Sequence, residues 1–298
     1  MYKANKEIQK VLSNVDLVIE VLDARIPYSS ENPVIAEHRG DKPTIKVFNK
    51  SDLADAEITT RWQQFLEEEQ GVKTLATTRD DPERIKQIMD LCKKLIPHKV
   101  GGDTPIYAMI MGIPNVGKST LINTLAGRTI AKTGNEPAVT KHQQRIDLKN
   151  GVVLIDTPGV LWPNIENSDS GYRLAMTGAV KDTAISYDDV AFYAAEYMMK
   201  VYPERLSERY ELDELPETEI EFMEQVGAKR GCLRGGGDVD LEKISKLLLA
   251  EYRSGKLGRL TLETPEMMTK EKRAVDKARA EKAAKLEAKQ KPKKRRRR

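Results

Sequence analysis

Nine residues constrain this chain more than any others: Gly112-Ile-Pro-Asn-Val-Gly-Lys-Ser-Thr120. An apolar run over 105–111 precedes them and reads as a buried strand, and 120–126 reads as a helix. The spacing is G-x-x-x-x-G-K-[ST], a phosphate-binding loop. The glycines let the backbone close around an anion, so that the N–H groups of Asn115, Val116, Gly117 and Thr120 can turn inward. Lys118 is placed to reach the outer phosphates, and the Ser119 hydroxyl to ligate Mg²⁺. The helix that follows offers its N-terminus, which favours negative charge. A chance glycine turn would not require the lysine, the hydroxyl and both flanking elements together.

Upstream, 16–22, 43–48 and 72–76 read as strands, and 55–70 and 82–95 as helices, with Pro82 at a helix start. Downstream, 144–148 and 152–155 read as two strands joined by Asn150-Gly151, a strong hairpin signal. Strands alternating with helices predict an α/β fold with a mostly parallel sheet and ligands at the strand C-termini.

Two more motifs end strands. Asn49-Lys50-Ser51-Asp52 is a guanine signature. The Asp52 carboxylate only accepts hydrogen bonds, and guanine offers it N1–H and the exocyclic amine where adenine has no such donors. Asn49 is expected to hold the loop and the base, with the Lys50 stem across the ring. Asp156-Thr-Pro-Gly159 is the third motif. Asp156 would hold Mg²⁺ through water, and the Gly159 N–H would meet the γ-phosphate. Thr140, in a segment of little periodicity over 127–141, is the candidate switch threonine that closes on Mg²⁺ when GTP is bound.

The base motif precedes the phosphate loop, the reverse of most small G proteins, so a circularly permuted P-loop GTPase domain is expected. In this and in Asp23-Ala-Arg-Ile-Pro27, Asn49–Asp52, Gly112–Thr120, Pro137-Ala-Val-Thr140 and Asp156-Thr-Pro-Gly-Val-Leu-Trp-Pro163, the chain resembles the ribosome biogenesis GTPase A family over about residues 1–265. The resemblance implies GTP hydrolysis to GDP coupled to late assembly of the large ribosomal subunit. It also implies K⁺ stimulation with Asn115 as a ligand, and Thr77-Thr78 as the motif whose backbone touches guanine. Its partners would be a large-subunit precursor, rRNA and ribosomal proteins, with the chain a monomer off the ribosome.

Val160 stands where a Ras-like protein carries its water-orienting glutamine. Relatives share that gap and are thought to use a histidine in an N-terminal Gly-His-Met stretch. This sequence begins at what looks like the Met of that stretch. Either the true start lies upstream or turnover is slow without the ribosomal particle. His142 is a conceivable substitute, although a strand-start histidine with no catalytic role accounts for it as well.

The net charge of +4 conceals an asymmetry, because residues 266–298 hold fifteen Lys/Arg against five Asp/Glu. That tail is expected to be disordered or a lone helix when free, binding RNA phosphate or serving solubility. Between it and the GTPase domain (1–177), residues 178–265 read as a small all-helical domain. Val190, Ala194, Tyr197, Met198 and Val201 mark one helix face, a short helix spans 218–226, and Asp238 caps the last helix. A basic loop with Lys229, Arg230 and Arg234 either grips RNA or is a solvated connection. Cys92 and Cys232 read as isolated buried residues. No apolar run reaches bilayer length, and no signal peptide is evident, which suits the cytoplasm. Two other readings stay open: a GTP-dependent RNA-binding module with negligible hydrolysis, and an ATPase with a chance Asn-Lys-x-Asp.

Overall fold

The computed structural model describes residues 8–131, 144–159, 161, 165–184 and 186–290. Six strands build one sheet: β1 (Leu17–Asp23), β2 (Thr44–Asn49), β3 (Val72–Ala76), β4 (Ile106–Gly112), β5 (Gln144–Asp147) and β6 (Val152–Asp156). Their order is β3-β2-β1-β4-β6-β5, parallel throughout except for the β5–β6 hairpin. Every residue of β1 and β2 is buried, as expected of strands covered on both faces.

The covering layers follow the side-chain alternation of the strands. Leu17, Ile19 and Val21 face one layer, with Ile85, Ile88 and Cys92 of α4 (Pro82–Leu95) and Leu121 and Ile122 of α5 (Lys118–Ala126). The other face packs Val18 with residues 8–12 and Ile35 of α2 (Pro33–His38). It also packs Leu22 and Phe48 with Trp62 and Leu66 of α3 (Ala56–Glu67). Capping fixes where these helices begin: Asp55 accepts from the N–H groups of Glu57 and Ile58, and Asp81 from Arg84, with Pro82 just inside. A single turn, α1 (Pro27–Ser30), follows β1.

The chain runs outward from β1 through β2 to β3, then returns beside β1 as β4. The direction reverses between β1 and β4, and crevices at such switch points, outside the strand C-termini, are where open α/β sheets bind ligands. The expected strands, the hairpin and the parallel sheet are all present.

Six helices follow: α6 (Ser168–Met176), α7 (Tyr187–Val201), α8 (Pro203–Tyr210), α9 (Glu219–Lys229), α10 (Leu241–Arg253) and α11 (Pro265–Gln290). Val190, Ala194 and Met198 of α7 are buried as expected, but Val201, its last residue, is exposed. The cap of α10 is Asp240 rather than Asp238. A Leu233–Val239 bridge and the Asp240 N–H to Cys232 carbonyl bond (2.7 Å) close residues 232–240 into a loop, so the helix starts after it.

Two cations of the loop read above as an RNA grip or a solvated connection have partners within the fold, although both residues stay exposed. Lys229 Nζ donates to the carbonyls of Tyr210 and Glu211 at the C-terminus of α8. Arg230 lies over the Tyr210 ring and faces Glu251 at 3.7 Å. Arg234 remains largely exposed.

Of the two states expected for the tail, the structure has the helix, over Pro265–Gln290. Its first turns dock on the sheet domain. Met268 packs with Trp62 and Phe48, Arg61 pairs with Glu266 at 2.8 Å, and Arg173 holds Glu271 at 2.7 Å. Beyond residue 276 its described residues are exposed.

Candidate nucleotide site

The strand register brings the motifs to one edge. Asp23 lies opposite Asn49, Val21 opposite Gly112, and Ile110 opposite Asp156. The phosphate loop then closes between β4 and α5. Gly117 takes φ 95°, which side-chain-bearing residues rarely adopt, and a Cβ there would collide with the Asn49 amide. Gly112 is equally confined, since a Cβ would lie 2.7 Å from the Val21 carbonyl.

The base motif grips this loop directly. Asn49 Nδ2 donates to the Val116 carbonyl at 2.7 Å, and its Oδ1 accepts from the Thr77 hydroxyl at 3.2 Å. Lys50, at φ 59°, donates from Nζ to the Asn115 carbonyl at 2.7 Å. Asp52 is exposed in the short 3₁₀ turn that follows. Ser51 is anchored through its N–H and hydroxyl to the Thr77 carbonyl, at 3.1 and 3.0 Å. The Thr77 amide itself bonds the Phe48 carbonyl, so this residue braces the base loop from beneath. Thr78 sits at the next position, its hydroxyl accepting from the Asp80 N–H.

At the other end, Lys118 pairs with Asp156 Oδ1, and both are buried. Asp156 Oδ2 has no hydrogen-bond partner among the described residues. Burial pushes the Asp156 carboxyl above its usual range, with the Lys118 charge acting against that rise. Ser119 and Thr120 occupy the first turn of α5. Gly159 lies against the loop, where a Cβ would stand 3.3 Å from the Gly112 carbonyl. Asn115 Nδ2 donates to the Gly178 carbonyl at 2.7 Å, tying the phosphate loop to the turn after α6. Thr140, His142 and Val160 lie outside the described residues.

One edge therefore carries an anion cradle and a base motif hydrogen-bonded to each other, with the base motif first in the chain. The curated ribosome biogenesis GTPase A of Bacillus cereus is 46% identical over 284 residues, covering 93% of this chain and 96% of that protein. The chain belongs to the ribosome biogenesis GTPase A family. The Priestia megaterium relative is 45% identical over 89% of this chain and 94% of its own length. The family model described as 50S ribosome-binding GTPase matches residues 107–218. GNP-bound YlqF from T. maritima superimposes with a TM-score of 0.66 at 30% identity, covering 89% of this chain and 99% of that one. As a member of this family the chain is a P-loop enzyme that binds and hydrolyses GTP.

Sequence reasoning named Asn49, Lys50, Lys118 and Asp156 as site residues, and the fold brings them to the same edge. It gave no site role to Asp23, buried opposite Asn49 and 3.0 Å from Lys50 Nζ. The available signal was a carboxylate at a strand C-terminus in line with the other motifs.

Proposed function

We propose that this GTPase acts as a switch in late assembly of the large ribosomal subunit, binding rRNA through the helical region 178–265 and the basic tail. The relatives' names speak of ribosome biogenesis and the family model of 50S ribosome binding. The observation that carries the reading is the joined site, in which Asn49 and Lys50 hold the carbonyls of Val116 and Asn115. Asp52 would take the guanine edge, with Thr78 beside it, and the amides of 115–120 the phosphates.

A hard divalent ion needs oxygen ligands. The unpartnered Asp156 Oδ2 and the Ser119 hydroxyl fit Mg²⁺, with Asp156 acting through water and Thr140 joining in the GTP state. Mg²⁺ would neutralise phosphate charge there. For K⁺ the ligand would be the oxygen end of the Asn115 amide, whose nitrogen end is fixed on Gly178. The chain itself would hold the nucleotide, and with Val160 where a Ras-like protein carries its water-orienting glutamine, turnover is slow until the ribosomal particle and K⁺ raise it. No helix among the described residues is long and apolar enough to cross a membrane, and we place the protein in the cytoplasm as a monomer off the ribosome.

GTP hydrolysis measured with and without large subunits, in K⁺ and then in Na⁺, tests this. Stimulation by the particle in K⁺ is expected. Fast turnover by the chain alone would refute the dependence on the ribosome.

A further inference from the structure

The stretch Asp23-Ala-Arg-Ile-Pro27 carries no role in the function proposed above, yet its side chains form a continuous chain of contacts. Asp23 is buried, and both its oxygens are gripped by the equally buried Arg25, through Nε at 2.9 Å and Nη2 at 2.8 Å. Asp23 Oδ2 also pairs with Lys50 Nζ at 3.0 Å, the ammonium that donates to the Asn115 carbonyl. On its far side the Arg25 guanidinium lies over the Tyr252 ring, 4.9 Å from its centre. The Arg25 carbonyl accepts the Leu262 N–H at 2.8 Å, and the Glu263 carboxylate accepts the first N–H groups of α1, from Tyr28 at 2.7 Å and Ser29 at 3.0 Å.

We propose that Asp23 and Arg25 are positioning residues for nucleotide binding, holding Lys50 across the base site, with Tyr252 of α10 as the seat on which Arg25 rests. This inference depends on the reading that Asn49–Asp52 receive guanine.

A lysine side chain carries about 2 kcal/mol of rotamer entropy, so one that must lie along a ring benefits from a fixed anchor. Asp23 supplies it. Burial works against the Lys50 charge, as does the nearby Arg25, and Asp23 opposes them through its charge and its hydrogen bond. Burial also disfavours the Asp23 charge, but Arg25 and Lys50 together hold its carboxyl well below the usual carboxylate range. Planar, bidentate holding of one carboxylate while stacking on a ring is something Arg does and Lys does not. The anchor lies at the base end of the site, so losing it weakens GTP and GDP alike and leaves guanine-over-adenine preference with Asp52.

The test is titration of the full chain with fluorescent GDP, competed by GDP and by ADP. The variants are Asp23→Asn, Lys50→Met, the two combined, and Arg25→Lys. Asp23→Asn and Arg25→Lys are each expected to weaken GDP binding about tenfold, the scale of one charge-assisted hydrogen bond. The double variant should bind within about twofold of Lys50→Met, because Asp23 acts through Lys50. GDP binding unchanged in Asp23→Asn, or losses that multiply in the double variant, would overturn the inference. If Asp23→Asn does not fold, Arg25→Lys alone and with Lys50→Met decides by the same rule. A parent chain that fails to prefer GDP over ADP would instead overturn the base-site reading, and this inference with it.

Discussion

Asn49 donates its side-chain amide to the carbonyl of Val116 at 2.7 Å, joining two motifs 67 residues apart in the chain. The same side chain accepts from Thr77, so one residue ties the base loop, the phosphate loop and the end of β3 together.

Asn49→Ala removes both bonds and leaves a buried loop carbonyl unpaired, at a cost of about 1–3 kcal/mol. GTP and GDP binding are both expected to weaken by about tenfold or more. Titration with fluorescent analogues of the two nucleotides reads this, and equal affinity in variant and parent would contradict it.

Asp52→Asn turns an acceptor into a side chain that also donates. Guanine nucleotides should lose affinity and xanthine nucleotides gain it. Competition among GDP, XDP and ADP measures the change, and a variant that still favours GDP as the parent does would count against Asp52 as the base reader.

Glu251 is buried between Arg209, Tyr210 and Arg230. Burial raises its pKa, but the hydrogen bonds from Arg209 and Tyr210, helped by the Arg209 and Arg230 charges, lower it further, for a net drop. The unfolded chain therefore binds a proton here first as pH falls. The stabilisation is complete above the ordinary glutamate value of about 4.3 and is lost as pH drops through the folded value. Urea unfolding from pH 7 to pH 3 should show that decline, and Glu251→Gln should flatten it. Because Arg209 is partly exposed, the substitution should cost about 1–3 kcal/mol at pH 7.

Burial pushes the Cys92 thiol up to about 12, and it raises the Cys232 thiol as well, with both cysteines free. The thiolate is the reactive form. A thiol reagent at pH 8 should label neither in the folded chain and both in urea. Rapid labelling without denaturant would show that these positions are accessible.

Residues 280–298 hold ten Lys/Arg and follow Glu271, which Arg173 holds. Deleting them leaves that docking pair intact. Binding to rRNA should weaken and its salt dependence flatten, since fewer counterions are released. Unchanged affinity and slope would leave the tail without an RNA role.

What could be read directly from the residues was what short-range chemistry dictates. Gly112 to Thr120 specify a loop closing around an anion, Asn150-Gly151 a hairpin, and Pro82 the start of a helix. The alternation of strands and helices gave the parallel sheet, and the motif residues gave the nucleotide. Contacts between distant segments were not readable. Lys229 and Arg230 read as free cations, but only packing of α9 beside α8 and α10 brings them to the Tyr210 carbonyl and Glu251. Asp238 and Asp240 are equivalent caps by residue type, and a bridge between Leu233 and Val239 decides between them. Asp23 and Arg25 acquire their partners from Lys50 and from Tyr252, 227 residues beyond Arg25. Local sequence fixes backbone preference and chemical type; which charges neutralise one another depends on which surfaces the fold presses together, and that is a property of the whole sheet and its helices.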